Sequence, residues 1–141
     1  MLTEDAVIGY VCDYVAARGW EIVSRAMPTQ HGTDIVAVRG GIRLEAEAKG
    51  AGSSKAHTAR YGQPFTTTQV NVHVGEAVLK ALRVVAAGQA RAAIAFPVTP
   101  RHRAEVSAVQ PALASLGITV FWVADDGTVT EDGPDSSTPR A

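Results

Sequence analysis

Gly32-Thr33-Asp34-Ile35-Val36-Ala37-Val38-Arg39-Gly40-Gly41-Ile42-Arg43-Leu44-Glu45-Ala46-Glu47-Ala48-Lys49-Gly50 is the stretch from which the fold of this 141-residue chain is read. Two apolar-rich runs of strand length flank Gly40-Gly41, a dipeptide able to supply the positive φ angles of a tight two-residue turn. The stretch therefore reads as a β-hairpin. In its second strand alternation is strict. Ile42, Leu44, Ala46 and Ala48 face one way, and Arg43, Glu45, Glu47 and Lys49 the other. Glu47 and Lys49 thus lie side by side on one face. In the first strand Asp34 shares a face with Val36 and Val38, where a carboxylate is costly unless a proton, a cation or donors meet it. Two carboxylates and a lysine are what a metal-dependent phosphodiesterase needs. Mg²⁺ takes hard oxygen ligands and keeps waters and a substrate phosphate in its other positions, while a lysine orients water or offsets developing charge.

The order of an aspartate, then E-x-K on the next strand, resembles the PD-(D/E)XK nuclease superfamily, which includes restriction endonucleases and archaeal Holliday-junction resolvases. Thr33-Asp34 stands where that signature has Pro-Asp, and Glu47-Ala48-Lys49 where it has (D/E)-x-K. The resemblance implies Mg²⁺, with Mn²⁺ able to substitute, held by Asp34, Glu47 and the backbone carbonyl of Ala48. It implies a water positioned by Lys49. Glu45, on the same strand face, is read either as a second-metal ligand or as a partner for Arg43.

The first helix begins at Thr3, a good N-cap, with Glu4 and Asp5 where the helix dipole favours negative charge. Val7, Ile8, Val11, Tyr14 and Val15 give its buried stripe, and Gly19 closes it. Members of the superfamily often carry a glutamate on this helix that reaches the metal site. Glu4 and Asp5 are the candidates by resemblance, although Ile8 occupies the expected register and dipole-complementing caps explain both acids. Residues 20–26 read as a strand and 27–31 as a loop, in which His31 is either a phosphate contact or a solvated histidine. No second histidine stands at a zinc-like spacing.

After Lys49, residues 50–68 are rich in Gly, Ser and Thr with hardly any aliphatic side chain, a long loop leaving directly from the strand of Glu47. Its Lys55, His57 and Arg60 are placed to meet nucleic acid, with Tyr61 and Phe65 as stacking or anchoring rings. A helix from Thr68 to about Ala87 buries Val70, Val74, Ala77, Val78, Ala81 and Val85. Relatives place a polar residue at its start, aimed at the active site, and Gln69 resembles that residue, with His73 one turn behind. Glu76 and Lys80 form an i,i+4 pair, and Lys80 and Arg83 read as a solvated face. Residues 91–98 suit a strand buried on both faces. Thr99-Pro100 starts another helix, on whose first turn Arg101, His102 and Arg103 form either an anion site or a solvated cluster. Pro111 kinks or splits that helix, and residues 118–123 are the last strand.

The expected architecture is a three-layer α/β/α sandwich around a mixed sheet of about five strands, the restriction-endonuclease-like core. It occupies residues 1–127, with a disordered tail at 128–141. At 46% hydrophobic and 19% charged residues, the composition is that of one globular domain, and no internal repeat is visible. A net charge of −1 gives no basic signature, so nucleic-acid binding must rest on a local surface and a metal. The lone Cys12 excludes an internal disulfide and reads as a buried small hydrophobe. No window suits a membrane span and no leader pattern is present, so a cytoplasmic location is expected.

The favoured function is a Mg²⁺-dependent endonuclease acting on nucleic acid, DNA before RNA, with a homodimer as the form that addresses two strands. The alternatives are a non-cleaving binding or assembly module, or a subunit active only within a larger complex.

Overall fold

A computed structural model describes residues 1–26, 32–52 and 63–134. The expected loop residues Gln30, His31, Lys55, His57, Arg60 and Tyr61 lie outside these, as does the tail from 135. The element order is α1 (Glu4–Ala16), β1 (Glu21–Arg25), β2 (Ile35–Arg39), β3 (Ile42–Ala48), α2 (Thr67–Ala87), β4 (Arg91–Pro97), α3 (Pro100–Ser107), α4 (Gln110–Ser115), β5 (Thr119–Val123) and β6 (Val129–Asp132). The strands form one mixed sheet in the order β1-β2-β3-β4-β5-β6.

The hairpin is where the sequence puts it. Gly40 and Gly41 both take positive φ (55° and 80°), so β2 and β3 pair antiparallel in a register running from Arg39↔Ile42 to Ile35↔Ala46. From β3 the chain crosses through α2 to β4, and from β4 through α3 and α4 to β5, which makes β3-β4-β5 parallel. Strand parity then sorts the core. Leu44, Ala46, Ala48, Ala93, Ala95, Phe121 and Val123 pack with α1, while Ala92, Ile94, Phe96, Val120 and Trp122 pack with α2, α3 and α4. The result is three layers, and Pro111 marks the split between α3 and α4.

Two expectations are corrected. The sheet has six strands rather than five, because β6 returns antiparallel along β5. Its residues fall in the stretch assigned to a disordered tail. That stretch is acidic and poor in aliphatic side chains, yet it has partners. Glu131 accepts from the Tyr14 hydroxyl at 3.0 Å, Asp132 from Trp122 Nε1 at 2.9 Å, and Gly127 turns the chain at φ 90°. An edge strand needs only one apolar face, and Val129 packs on the α1 side.

Candidate functional site

The site grows from the point where the β2-β3 ladder stops. Beyond the Ile35↔Ala46 pair, the Asp34 carboxylate takes the place of a backbone partner, its Oδ2 accepting from the Ala48 N–H at 2.8 Å. Asp34 is fixed at the base of β2 in a buried setting, 7% exposed. Glu47, one residue before Ala48, is equally buried at 6%, and its carboxyl feels that of Asp34. Burial pushes the Glu47 carboxyl up to about 7 and the Asp34 neighbour adds to the shift, against a hydrogen bond from Lys80 that favours the ionised form. The two acids expected to converge do so.

The first helix brings a third acid. Glu4, half-buried on the first turn of α1, has its carboxyl raised by burial and by Asp34, with Lys49 and Lys80 acting in the other direction. Glu4 thus feels the charge of Asp34 from the first turn of α1, and Ile8 is a core residue. Gly50 makes this possible. A Cβ there would stand 2.4 Å from Glu4 N and 2.8 Å from Thr3 C, so only glycine lets the exit of β3 run against the start of α1. The Ala51 N–H donates to Leu2 O at 2.8 Å and closes the junction. Asp5 lies next to Glu4 on the same turn and raises its carboxyl slightly more.

The cations are arranged differently from the sequence reading. Lys49 shares the Glu47 face, but its Nζ lies 3.8 Å from Glu76 of α2. It is Lys80 that reaches Glu47, Nζ to Oε1 at 2.8 Å, and this contact holds the Lys80 ammonium above its ordinary range. The expected Glu76–Lys80 pair is thus replaced by two pairs that tie α2 to β3. The small residues Ala77 and Ala81 in the buried stripe of α2 allow the close approach. Those small residues, flanked by charges, are the one sequence signal that points Lys80 toward β3.

Other expected site residues have local duties. Gln69 is the N3 member of a capping box, its Oε1 accepting from Thr66 N at 2.8 Å, so the side chain closes the end of α2. Glu45 is the partner of Arg43 (3.1 Å) and accepts from the Thr33 hydroxyl at 3.3 Å. His73 packs its ring edge-on to Phe65, centroids 4.5 Å apart, and burial, then Lys49, lowers its basicity. The Arg101-His102-Arg103 cluster is divided. Arg101 donates to Phe65 O, Arg103 lies over the Trp122 ring, and His102 is buried beside Phe96 with burial driving its imidazole to about 4. A groove of about 250 Å³ opens beside Glu47, lined by Glu45, Glu47, Lys80 and Arg83 over Ala46, Ala81, Val84 and Ala93.

Among the described residues no three His, Cys, Asp or Glu side chains form a ready metal cage. Asp34 and Glu47 are nevertheless a fit donor set for a magnesium-like ion, which takes one or two carboxylates and fills its other positions with water and phosphate. Among the described residues the ion pair to the Glu47 carboxylate comes from one half-exposed lysine.

No protein-family model and no curated protein matches the sequence. Among solved structures, the chain is similar to an FdxN element excision controlling factor protein from Anabaena variabilis, at 14% identity and a TM-score of 0.45 over 89% of this chain and 96% of that one. It is also similar to SfsA from Pyrococcus furiosus in complex with Ca²⁺, at 15% identity and a TM-score of 0.42 over 88% of this chain and 58% of that one.

Proposed function

We propose that the protein is a metal-dependent phosphodiesterase that cleaves nucleic acid, DNA in the first instance. The observation that carries this reading is the buried Asp34–Glu47 pair, whose acid form is favoured up to about 7 at Glu47 and whose ion-pair partner among the described residues is a partly exposed lysine. Asp34, Glu47 and the Ala48 carbonyl would hold Mg²⁺ or Mn²⁺, which when bound supplies Lewis-acid polarisation of a phosphoryl oxygen and a more acidic water. Asp34 is held in place by the Ala48 N–H, so the acid pair is set before substrate arrives. Lys49, only 12% exposed and tethered by Glu76, is positioned to offset charge as the phosphorane forms or to hold the attacking water. Glu4, whose carboxyl feels Asp34, would accept a hydrogen bond from such a water. Gln69, committed to its helix cap, takes no part in this version of the mechanism.

A second reading, a non-cleaving binding or assembly module, is favoured by the two cross-layer ion pairs, which give Glu47 and Lys49 partners without any cation. Incubation of supercoiled plasmid with Mg²⁺ separates the two. The nuclease reading expects relaxation or linearisation by the wild-type protein, none with EDTA and none by Asp34→Ala; equal activity of that variant, or an inert wild type, refutes it. Light scattering on the same preparation reads whether two copies pair to present two sites to two strands. No described helix is long and apolar enough to cross a membrane.

A further inference from the structure

Lys80 is the residue that the nuclease reading leaves without a role, and its position is informative. Its ammonium stands 2.8 Å from Glu47 Oε1, although its side chain is 46% exposed and stands outside the buried stripe of α2. A lysine on a flexible four-carbon stem has many solvated rotamers. Here it reaches one of two adjacent buried acids, at a carboxylate oxygen from which a divalent cation held by Glu47 would have to displace it. The same ammonium lines the groove beside Glu47, and Arg83, three residues on, lines it too. Arg83 is exposed and makes no ion pair among the described residues.

We propose that Lys80 is a built-in counter-ion that exchanges with the divalent cation at Glu47, and that the exchange releases its charge, beside that of Arg83, to bind the phosphate backbone of a nucleic acid lying in the groove. Lys80 is then a positioning residue that couples metal binding to substrate binding. The inference rests on the nuclease reading and deepens it.

The coupling follows from mass action. While Glu47 is paired with Lys80, a cation must displace the ammonium, so metal affinity is reduced; while Lys80 is held by Glu47, the groove lacks one phosphate contact. Each ligand therefore favours the other by the same factor. A partly exposed ion pair sets that factor at about two- to fivefold.

The test uses two substitutions that remove the same charge from the same groove, Lys80→Met and Arg83→Met. Mn²⁺ affinity is read by the electron-spin signal of free Mn²⁺, and binding of a fluorescent single-stranded oligonucleotide by anisotropy, in EDTA and in Ca²⁺. For the wild type, Ca²⁺ is expected to tighten oligonucleotide binding by about two- to fivefold. Lys80→Met is expected to bind Mn²⁺ tighter than wild type by about the same factor and to show a smaller Ca²⁺ effect than wild type. Arg83→Met is expected to weaken oligonucleotide binding while keeping both the wild-type Mn²⁺ affinity and the Ca²⁺ effect. If the two variants behave alike, or Lys80→Met binds Mn²⁺ no tighter than wild type, the exchange is overturned while the nuclease reading stands. If no form binds Mn²⁺, both fall. Lys80 is too exposed for its loss to prevent folding, and a thermal melt of each variant confirms that the comparison is between folded proteins.

Discussion

The two faces of β3 differ as much as any two regions of the molecule. On one, Leu44, Ala46 and Ala48 are sealed by α1 into a dry core with Phe121 and Val123. On the other, Arg43, Glu45, Glu47 and Lys49 form a row of charges under the overhanging edge of α2. The strand sequence is the same for both, and only the parity of its residues separates them. The apolar face anchors the strand firmly enough that the charged face need not contribute to the core, and a buried carboxyl pair can persist there at a cost in stability. The candidate site lies where packing is least complete.

If labour is divided in this way, substitutions on the two faces have separable consequences. The largest effect is expected from Lys49→Ala, which should lower plasmid cleavage by about 10³-fold or more, as removal of a charge-stabilising group does, while Mn²⁺ still binds. Its thermal melt should move little, since the Glu76 partner is half-exposed. Cleavage equal to wild type would remove Lys49 from the mechanism. On the opposite face, Phe121→Ala should cost about 3–5 kcal/mol in urea unfolding because the ring is fully buried and meets Tyr14 edge-on. Activity per folded molecule should be retained, and a selective loss of activity in a still-folded protein would show that the faces are not independent.

A pH profile sharpens the contrast. Glu47 binds its proton up to about 7 when folded, against an ordinary 4.5, so between those values the folded chain holds more protons and stability falls as pH rises. His102, lowered from 6.5 to about 4, acts with the opposite sign, since the unfolded chain takes its proton first and stability rises with pH from about 4 to 6.5. Metal-free wild type should therefore be nearly flat from pH 4.5 to 6.5 and decline just above. Glu47→Gln should expose the histidine limb, a gain on the order of 2–3 kcal/mol across that window by urea melts in EDTA. A variant profile parallel to wild type would mean that Glu47 ionises normally.

Much of this was legible in the sequence, and for identifiable reasons. Gly40-Gly41 and the strict alternation that follows fixed the hairpin, and with it the shared face of Glu47 and Lys49. The Asp34 carboxylate, misplaced among Val36 and Val38, announced a site. What escaped depends on relations between distant elements. Lys80 looks solvated on a helical wheel because the only local hint that α2 passes over β3 is the pair of small residues Ala77 and Ala81. The glycine that lets Glu4 approach the acids is Gly50, forty-six residues on in the chain. Gln69 was ambiguous, since a glutamine at the third helical position serves either a cap or a site, and the hydroxyl of Thr66 decides in favour of the cap. β6 was hidden because an acidic edge strand has the composition of a tail.

The smallest of the expected effects tests that last assignment of Gln69. Gln69→Ala should destabilise the protein by about 1 kcal/mol through loss of the capping box and leave plasmid cleavage within about twofold of wild type. A large loss of cleavage without loss of stability would restore Gln69 to the site.

The central claim is that Asp34 and Glu47 together accept a divalent cation. The direct measurement is anomalous scattering from crystals soaked in Mn²⁺. A peak about 2.2 Å from an oxygen of each carboxylate, with the Lys80 ammonium moved off Glu47, is the result predicted. Crystals saturated with Mn²⁺ that show no peak there, with Lys80 still on Glu47, would contradict the account.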